Sequence, residues 1–504
     1  NGWVAFGPGS VPDAALSFEV RASTAALEHL YREDLWSPPP GAAREWREPL
    51  RMAWAPAAWD AFDRLFRSFG VFDPAPAAHQ QSHWNTWGNF RNKQYDLRFI
   101  ADRAANFGAA VLVIDDGWES YTSSGVHHPA RFPRFFEDLK YARSKGLAIG
   151  LWEACGWVAD PQAAGLSDRD LVLGKDGRPR RATWNMAVNS LGTAKFCLDL
   201  SSPRSREFLR RRTAQMMRAY APVLLKLDFG YGLPGPDVGA PRDPALRGER
   251  LAFELLRTIR DAAREVDPKV AVQYYGIHPL MRAVTDVVAL DDLGDAGGYE
   301  AEAHGQWSVW SALAAAQGVA VMASSGYDWA ADAEILLNTA VIGSPGSVLP
   351  VPAPPDAVPA RRAVARWHRR TTGWRPLWLN SEKGSIGHEP RVRCWGRLEG
   401  PDRLTAVALR EEHPEGAAAA PLRGMKWRGR WALISQDEQD IFHTRLLACI
   451  PFGSGWLELP VAARPAQVTV AYGDREAPLA GWTFRDGRLR FRAPVGALGV
   501  LIRR

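Results

Sequence analysis

The chain has 504 residues, 46% of them hydrophobic and 23% charged, with 62 Lys and Arg against 56 Asp and Glu for a formal net charge of +6. This length allows two or three domains with a large core, and basic residues spread without a long block of one sign do not make a nucleic-acid footprint. No apolar run reaches the roughly 18 residues of a membrane span, and Cys155, Cys197, Cys394 and Cys449 stand too far apart for a zinc motif or a disulfide framework.

The amino end, NGWVAFGPGS, has neither an initiating Met nor a charged and apolar signal segment. That leaves the compartment, cytoplasmic or secreted, open. Residues 1 to about 75 mix short apolar pieces with WSPPPGAAREW and one amphipathic stretch, AAWDAFDRLFRSF, before the breaker VFDPAPA. A small, partly β leading segment joined by a linker helix is expected there, over 1–78.

From about 80 to 350 a rhythm repeats, in which a short apolar run ending in polar or aromatic residues is followed by a helical stretch. The runs are HWNTW (83–87), VLVIDD (111–116), LAIGLWE (147–153), LLKLDF (224–229), VAVQYY (270–275), VVALDD (287–292), VAVMAS (319–324) and VIGSPGSVLPV (341–351). Strands alternating with helices predict a parallel sheet, and eight of them fit an α/β fold of the (β/α)8 TIM-barrel type over 79–385. FCLDL (196–200) is expected as a short extra strand before the helix PRSREFLRRRTAQMMRAY, and RRAVARWHRRT (361–371) as a helix. Beyond 386, runs such as RLTAVAL, AQVTVAYG and LGVLIRR predict a C-terminal antiparallel β-sandwich domain, 386–504.

Chemistry in such a barrel sits at the carboxyl ends of the strands. Asp115 and Asp116 close the second run, Glu153 the third, Lys226 and Asp228 the fourth, while Asp291, Asp292 and Asp295 follow the sixth. Trp84, Trp87, Trp118 and Trp152 stand at the same ends. Acids and indoles converging on one mouth suit a sugar, whose hydroxyls want carboxylates and whose C–H face stacks on rings. Each element also has a plain reading: an Asp after a strand caps a helix, a strand-end Trp fills core, and Lys226 with Asp228 forms a structural ion pair. In LLKLDF alternation puts Lys226 and Asp228 on one face and Leu225, Leu227 and Phe229 on the other. No GxxxxGK[ST], no GxGxxG opening a helix and no HExxH is present, so neither a metal, a nucleotide nor another cofactor is expected.

Together WNTW, IDDGW (114–118), GLWE, LDLSSPRSREFL (198–209), KLDF and DDLGDA (291–296) resemble the retaining α-galactosidases of glycoside hydrolase family 36, in order and spacing from about 80 to 350. The resemblance implies double displacement on an α-linked galactose-type sugar such as galactose or N-acetylgalactosamine, with Asp228 the nucleophile and Asp292 the acid/base. It implies that Asp115 and Asp116 hold sugar hydroxyls, that Lys226 donates to another, and that Trp87, Trp118 and Trp152 shape the pocket with Glu153 and Asp295. The family's glycine-rich loop is replaced by YYGIHPLMRA (274–283), and the arginine expected before LDLSS is not evident in NMAVNSLGTAKF. Tyr274, Tyr275 and His278 are therefore the residues expected to set the choice of sugar, and Asp328 is a further contact. A raffinose-synthase-like transferase and a catalytically silent sugar-binding barrel remain as alternatives. A carbohydrate is the expected partner, with neither nucleic acid nor membrane, and a homo-oligomer is in keeping with the resemblance.

Overall fold

The computed structural model describes residues 2–13, 15–21, 26–32, 49–70, 73–87, 94–181, 195–235, 238–276, 278–289, 313–322 and 346–347, with the later segments 375–378, 392–399, 403–411, 426–435, 446–461, 463–472, 475–494 and 499–503. The helix expected over 361–371 lies outside them.

In the leading segment β1 (Trp3–Pro8) pairs antiparallel with β4 (Leu50–Ala55), and β2 (Ala15–Arg21) with β3 (Ala26–Arg32). Helix α1 (Ala58–Arg67) packs on β1 and β4, burying Trp59, Leu65 and Phe66. These sit at i, i+6 and i+7, one stripe of a helix, so the amphipathic pattern seen in the sequence is the face that docks.

Eight parallel strands then form one curled sheet of the TIM-barrel type: β5 (His83–Asn85), β6 (Val111–Ile114), β7 (Ala148–Ala154), β10 (Leu224–Asp228), β11 (Ala271–Tyr274), β12 (Val287–Ala289), β13 (Ala320–Met322) and β14 (Gly346–Ser347). Their order across the sheet is β13-β12-β11-β10-β7-β6-β5-β14. Each of the eight runs read from the sequence supplies one of these strands. Helices α2 (Leu97–Phe107), α3 (Phe135–Ser144), α4 (Pro203–Tyr220) and α5 (Glu249–Arg264) cross between them. Between β7 and α4 the chain makes a detour, in which β8 (Trp157–Val158) pairs antiparallel with β9 (Phe196–Cys197), the short extra strand expected at FCLDL.

Local chemistry explains the helix ends. Asp96 caps α2 by accepting from Arg98 N at 2.9 Å and Phe99 N at 3.3 Å, and Gly108 stops it at φ 89°. Along α4 the buried positions are Ser205, Phe208, Leu209, Arg212, Thr213, Met216, Met217 and Tyr220, a 3.6-residue stripe with an arginine in its middle.

Register decides which side chains look into the sheet's concave face. Gly150, Trp152 and Ala154 of β7 stand level with Leu224, Lys226 and Asp228 of β10, and Val113 of β6 is level with Gly150. Paired residues of parallel strands point the same way, so these share the concave face, while Leu151 and Glu153 go with Leu225 and Leu227 to the helix side. The deep concave layer is apolar, from Val111, Val113, Leu224, Ala271, Val287, Ala320 and Met322. Beyond it, toward the carboxyl ends, polar groups take over.

The described C-terminal strands are antiparallel and belong to one ten-stranded sheet running from β15 (Arg375–Trp378) through β16 (Val392–Glu399), β17 (Arg403–Glu411), β18 (Lys426–Ser435) and β19 (Leu446–Pro460) to β24 (Gly499–Arg503), β20 (Gln467–Tyr472) and β21 (Arg475–Pro478), with β22 (Thr483–Arg485) and β23 (Arg488–Arg492) joined to it at β19. Among the described residues no helix is long and apolar enough to cross a membrane.

Asp96→Ala is expected to lower the unfolding free energy by about 1 kcal/mol, the usual worth of an N-cap, read from urea unfolding beside the parent.

Candidate active site

Four side chains that the sequence places at strand ends meet on the concave face. Asp115, Lys226 and Asp228 are almost fully buried, and Trp152 is 1% exposed. Lys226 does not pair with Asp228. Its Nζ donates to Asp115 Oδ2 at 2.7 Å, reaching past β7 to the end of β6. The same oxygen accepts from Asn85 Nδ2 at 2.7 Å, and Asp115 Oδ1 accepts from Asp116 N at 2.8 Å. Thr86 Oγ1 takes the Asp115 N–H at 2.9 Å, so backbone and carboxylate are both fixed. A charge buried this deeply is tolerated because each oxygen has donors.

Asp228 is held differently. Trp152 Nε1 donates to its Oδ2 at 3.0 Å and Phe229 N to its Oδ1 at 2.7 Å, while Cys155 N donates to its main-chain oxygen at 2.7 Å. Phe229 adopts a left-handed conformation, φ 62°, ψ 12°, which a bulky residue seldom takes. That conformation redirects the chain just past the candidate nucleophile. The Phe229 carbonyl receives Trp157 Nε1 at 3.0 Å, and its ring meets Trp152 edge-on at 5.4 Å. The next residue, Gly230, lies against Tyr274: a Cβ there would come 2.0 Å from the tyrosine oxygen.

Glu153 is not part of this group. Register turns it to the helix side, where Arg212 Nη2 of α4 donates to its Oε2 at 2.8 Å with both side chains buried. Glu119, just after the IDDGW stretch, joins that outer system and accepts from Gly125 N at 2.7 Å and Ser123 N at 3.1 Å. Burial first, and then the nearby Glu153 charge, push the Glu119 carboxyl up to about 8 against the pull of Arg212. Glu153 is raised too, chiefly by burial.

The remaining expected residues are distributed as follows. Trp118 is fully buried, stacked on Phe135 with centroids 5.9 Å apart, and its Nε1 donates to Trp152 O at 2.9 Å. It thus supports Trp152 from behind. Trp87 is half-buried beyond β5, its N–H on Asn85 Oδ1 at 2.8 Å. Asp116 is 5% exposed. Tyr274 packs with the helix-side core, Tyr275 is half-buried beside it with ring centroids 5.6 Å apart, and His278 lies against Phe69 of the leading segment at 5.0 Å. Burial brings the His278 imidazole down to about 4. Asp291, Asp292, Asp295 and Asp328 lie outside the described residues.

Two residues with a bearing on the site were not picked from the sequence. Arg212 was signalled, because it stands on the apolar stripe of α4. Lys195, 1% exposed and directly before β9, carried no such signal. Its ammonium is lowered by burial and opposed by the charge of Asp116. Among the described residues no three His, Cys, Asp or Glu side chains are grouped to hold a metal ion.

No family model matches the chain, and the search of curated proteins returns no match. Solved structures do match. A family GH36 α-galactosidase, AgaA of Geobacillus stearothermophilus in complex with raffinose, superposes with a TM-score of 0.53 at 14% identity over 91% of this chain and 60% of its own. The galactosidase domain of an α-galactosidase–sucrose kinase gives 0.53 at 10% over 91% and 59%. The glucosidase II α subunit, Glc1Man2-bound, gives 0.52 at 11% over 90% and 65%. The chain therefore spans about three-fifths of the length of these proteins, and the fold it shares with them is that of the family 36 α-galactosidases.

Gly230→Ala is expected to cost about 1–3 kcal/mol of stability, as overpacking does, and to displace Asp228; paired with Tyr274→Ala the loss should be relieved, measured as unfolding free energies in a double-mutant cycle. Between about pH 4.5 and 8 folded Glu119 keeps a proton that the unfolded chain has released, so its contribution to stability is full at low pH and is lost as pH rises through that interval. Melting temperatures across it should fall less steeply in Glu119→Gln than in the parent.

Proposed function

We propose that the chain is a retaining α-glycoside hydrolase acting on terminal α-linked galactose-type sugars. The observation that carries this reading is Asp228: a buried carboxylate at the carboxyl end of a barrel-type strand, both oxygens held by N–H donors, beside the ion pair of Lys226 with Asp115. Its fold is shared with enzymes named as α-galactosidases, one solved with raffinose.

In this mechanism the Asp228 carboxylate attacks the anomeric carbon as the leaving oxygen takes a proton from Asp292, giving a glycosyl-enzyme. Water, deprotonated by Asp292, then displaces the sugar with net retention, a chemistry that in general requires two carboxyls about 5–5.5 Å apart. Trp152 orients the nucleophile through its indole N–H. Phe229 N holds the other oxygen, so the attacking lone pair is presented in one direction. Asp115 and Lys226 neutralise each other and keep the wall polar without adding net charge, which suits an uncharged sugar. Asp116 reads hydroxyls, and Trp87, Tyr275 and Asp295 complete the pocket. We assign the leading segment to 1–78, a closed (β/α)8 barrel to the chain from 79, and the β-sandwich to the chain from β15 (Arg375–Trp378), which pairs with β16 and so lies ahead of the boundary at 386 read from the sequence.

With p-nitrophenyl α-galactoside and its N-acetylgalactosamine counterpart, the parent should release nitrophenol and Asp228→Ala should lose activity by about 10^3-fold or more. Proton NMR of the first-formed sugar should show the α-anomer. Inertness toward every α-glycoside, or an unimpaired Asp228→Ala, would sink the assignment; a product carrying an added acceptor sugar in place of free sugar would move it to transfer.

A further inference from the structure

Among the described residues, those other than glycine that take a left-handed backbone are Ser123 at φ 70°, Ala221 at 47°, Phe229 at 62° and Asp486 at 50°. Ala221 ends α4 and Asp486 turns β22 into β23, places where such a backbone is ordinary. Ser123 and Phe229 are different, because they are the two ends of one hydrogen-bonded bridge. Ser123 Oγ donates to Trp157 O, Trp157 Nε1 donates to Phe229 O at 3.0 Å, and Phe229 N holds Asp228 Oδ1 at 2.7 Å. Strain of this kind lasts only where the surroundings impose it.

What imposes it on Ser123 is Glu119. Its Oε2 accepts from Ser123 N at 3.1 Å and its Oε1 from Gly125 N at 2.7 Å, so one carboxyl closes the turn 119–125 at two points. The turn is also pressed against α4, since a Cβ on Gly125 would stand 3.0 Å from Arg212 Cγ. Glu119 is 4% exposed, and nothing in the double-displacement scheme uses it. Around it stand Glu153 on β7, Arg212 and Tyr220 on α4 and Tyr121 of its own turn, with Cys155 beside Glu153 and His127 on the Tyr220 hydroxyl. The guanidinium of Arg212 is taken by Glu153 at 2.8 Å. Two buried acids and one guanidinium balance only when one acid keeps its proton, and Glu119, held by main-chain N–H groups, is the one that keeps it.

We propose that Glu119 is a positioning residue of Asp228, holding Ser123 in the conformation from which its hydroxyl reaches Trp157, so that the Trp157 indole fixes the peptide that follows the nucleophile. It does not touch the sugar, and its part in catalysis rests on the glycosidase reading. Once ionised it sets a second negative charge beside Glu153; the turn then opens toward water, the Trp157 link slackens and the Asp228 carboxyl loses its set direction. Burial holds the Glu119 carboxyl up to about 8, so the bridge is closed at low pH and released as pH rises through that value.

The test is the pH profile of p-nitrophenyl α-galactoside hydrolysis by the parent, Glu119→Gln, Glu119→Ala and Ser123→Ala, with amide hydrogen exchange of peptides spanning 225–233 compared at about pH 6 and about pH 9. Nitrophenolate leaves without a proton, so the alkaline side of kcat/KM is not set by the acid Asp292. Glu119→Ala and Ser123→Ala should lower kcat about 10^2-fold, the cost of a misplaced group, with KM nearly unchanged. Glu119→Gln has the shape of the neutral acid; it should restore kcat and stay active above about pH 8, where the parent falls about tenfold per pH unit. Exchange protection over 225–233 should drop with pH in the parent and hold in Glu119→Gln. An alkaline fall and a protection loss shared by the parent and Glu119→Gln, or full kcat in Glu119→Ala, overturns the proposal. Should Glu119→Ala not fold, Ser123→Ala and the Glu119→Gln profile decide it. Protection that follows Glu119 without turnover by the parent would end the hydrolase and keep the bridge. Turnover with protection indifferent to Glu119 would do the reverse, and an absence of both would end both.

Discussion

Lys226 and Asp115 meet at 2.7 Å inside the sheet, and the rest of the site is arranged around that ion pair. Three carboxylates, Asp115, Asp116 and Asp228, are crowded at the carboxyl ends of β6 and β10 with almost no access to water. Left alone they would repel one another and resist ionising together. Lys226 takes up one of them from two strands away, passing Trp152 on β7, and Asn85 steadies the same oxygen from β5. Four strands are thus tied at one level, and removing the Lys226 ammonium would take the ion partner from a buried carboxylate, a loss of about 3–5 kcal/mol in comparable pairs.

A second ionic system, Glu153 with Arg212 and Glu119, lies on the other side of the same strand. The two are separated by the thickness of β7. The inner one faces the candidate substrate; the outer one fixes α4 and the loop at Ser123 and Gly125 to the sheet. Trp152 lies between the two systems, its indole N–H on Asp228 and its carbonyl receiving Trp118. Trp118 in turn meets Tyr220 of α4 edge-on at 5.4 Å, so the outer helix is joined to Trp152 through it.

Much of this was legible beforehand. The eight strands stood out because buried parallel strands read as short apolar runs, and the same-face placement of Lys226 and Asp228 follows from alternation alone. Partners were harder. Alternation says that Lys226 and Asp228 share a face, not that a lysine's length lets it prefer an acid two strands away. Glu153 illustrates the same gap: it ends a strand like the others, and only its pairing with Leu227 shows that it looks outward. Tyr274 and His278 were expected at the pocket, but the first passes beneath Gly230 and the second leans on Phe69, contacts made by segments distant in the chain. Lys195 was hidden because a lysine beside an apolar pair reads as surface.

The parity of β7 has a meaning for how this fold can vary. Trp152 and Glu153 are neighbours in sequence yet serve opposite faces, one beside Asp228 and the other beside Arg212. A single inserted or deleted residue upstream in β7 would exchange them, setting a carboxylate against the nucleophile and an indole against a buried guanidinium. Loops around the barrel can lengthen freely, whereas this strand can change its letters but not its count.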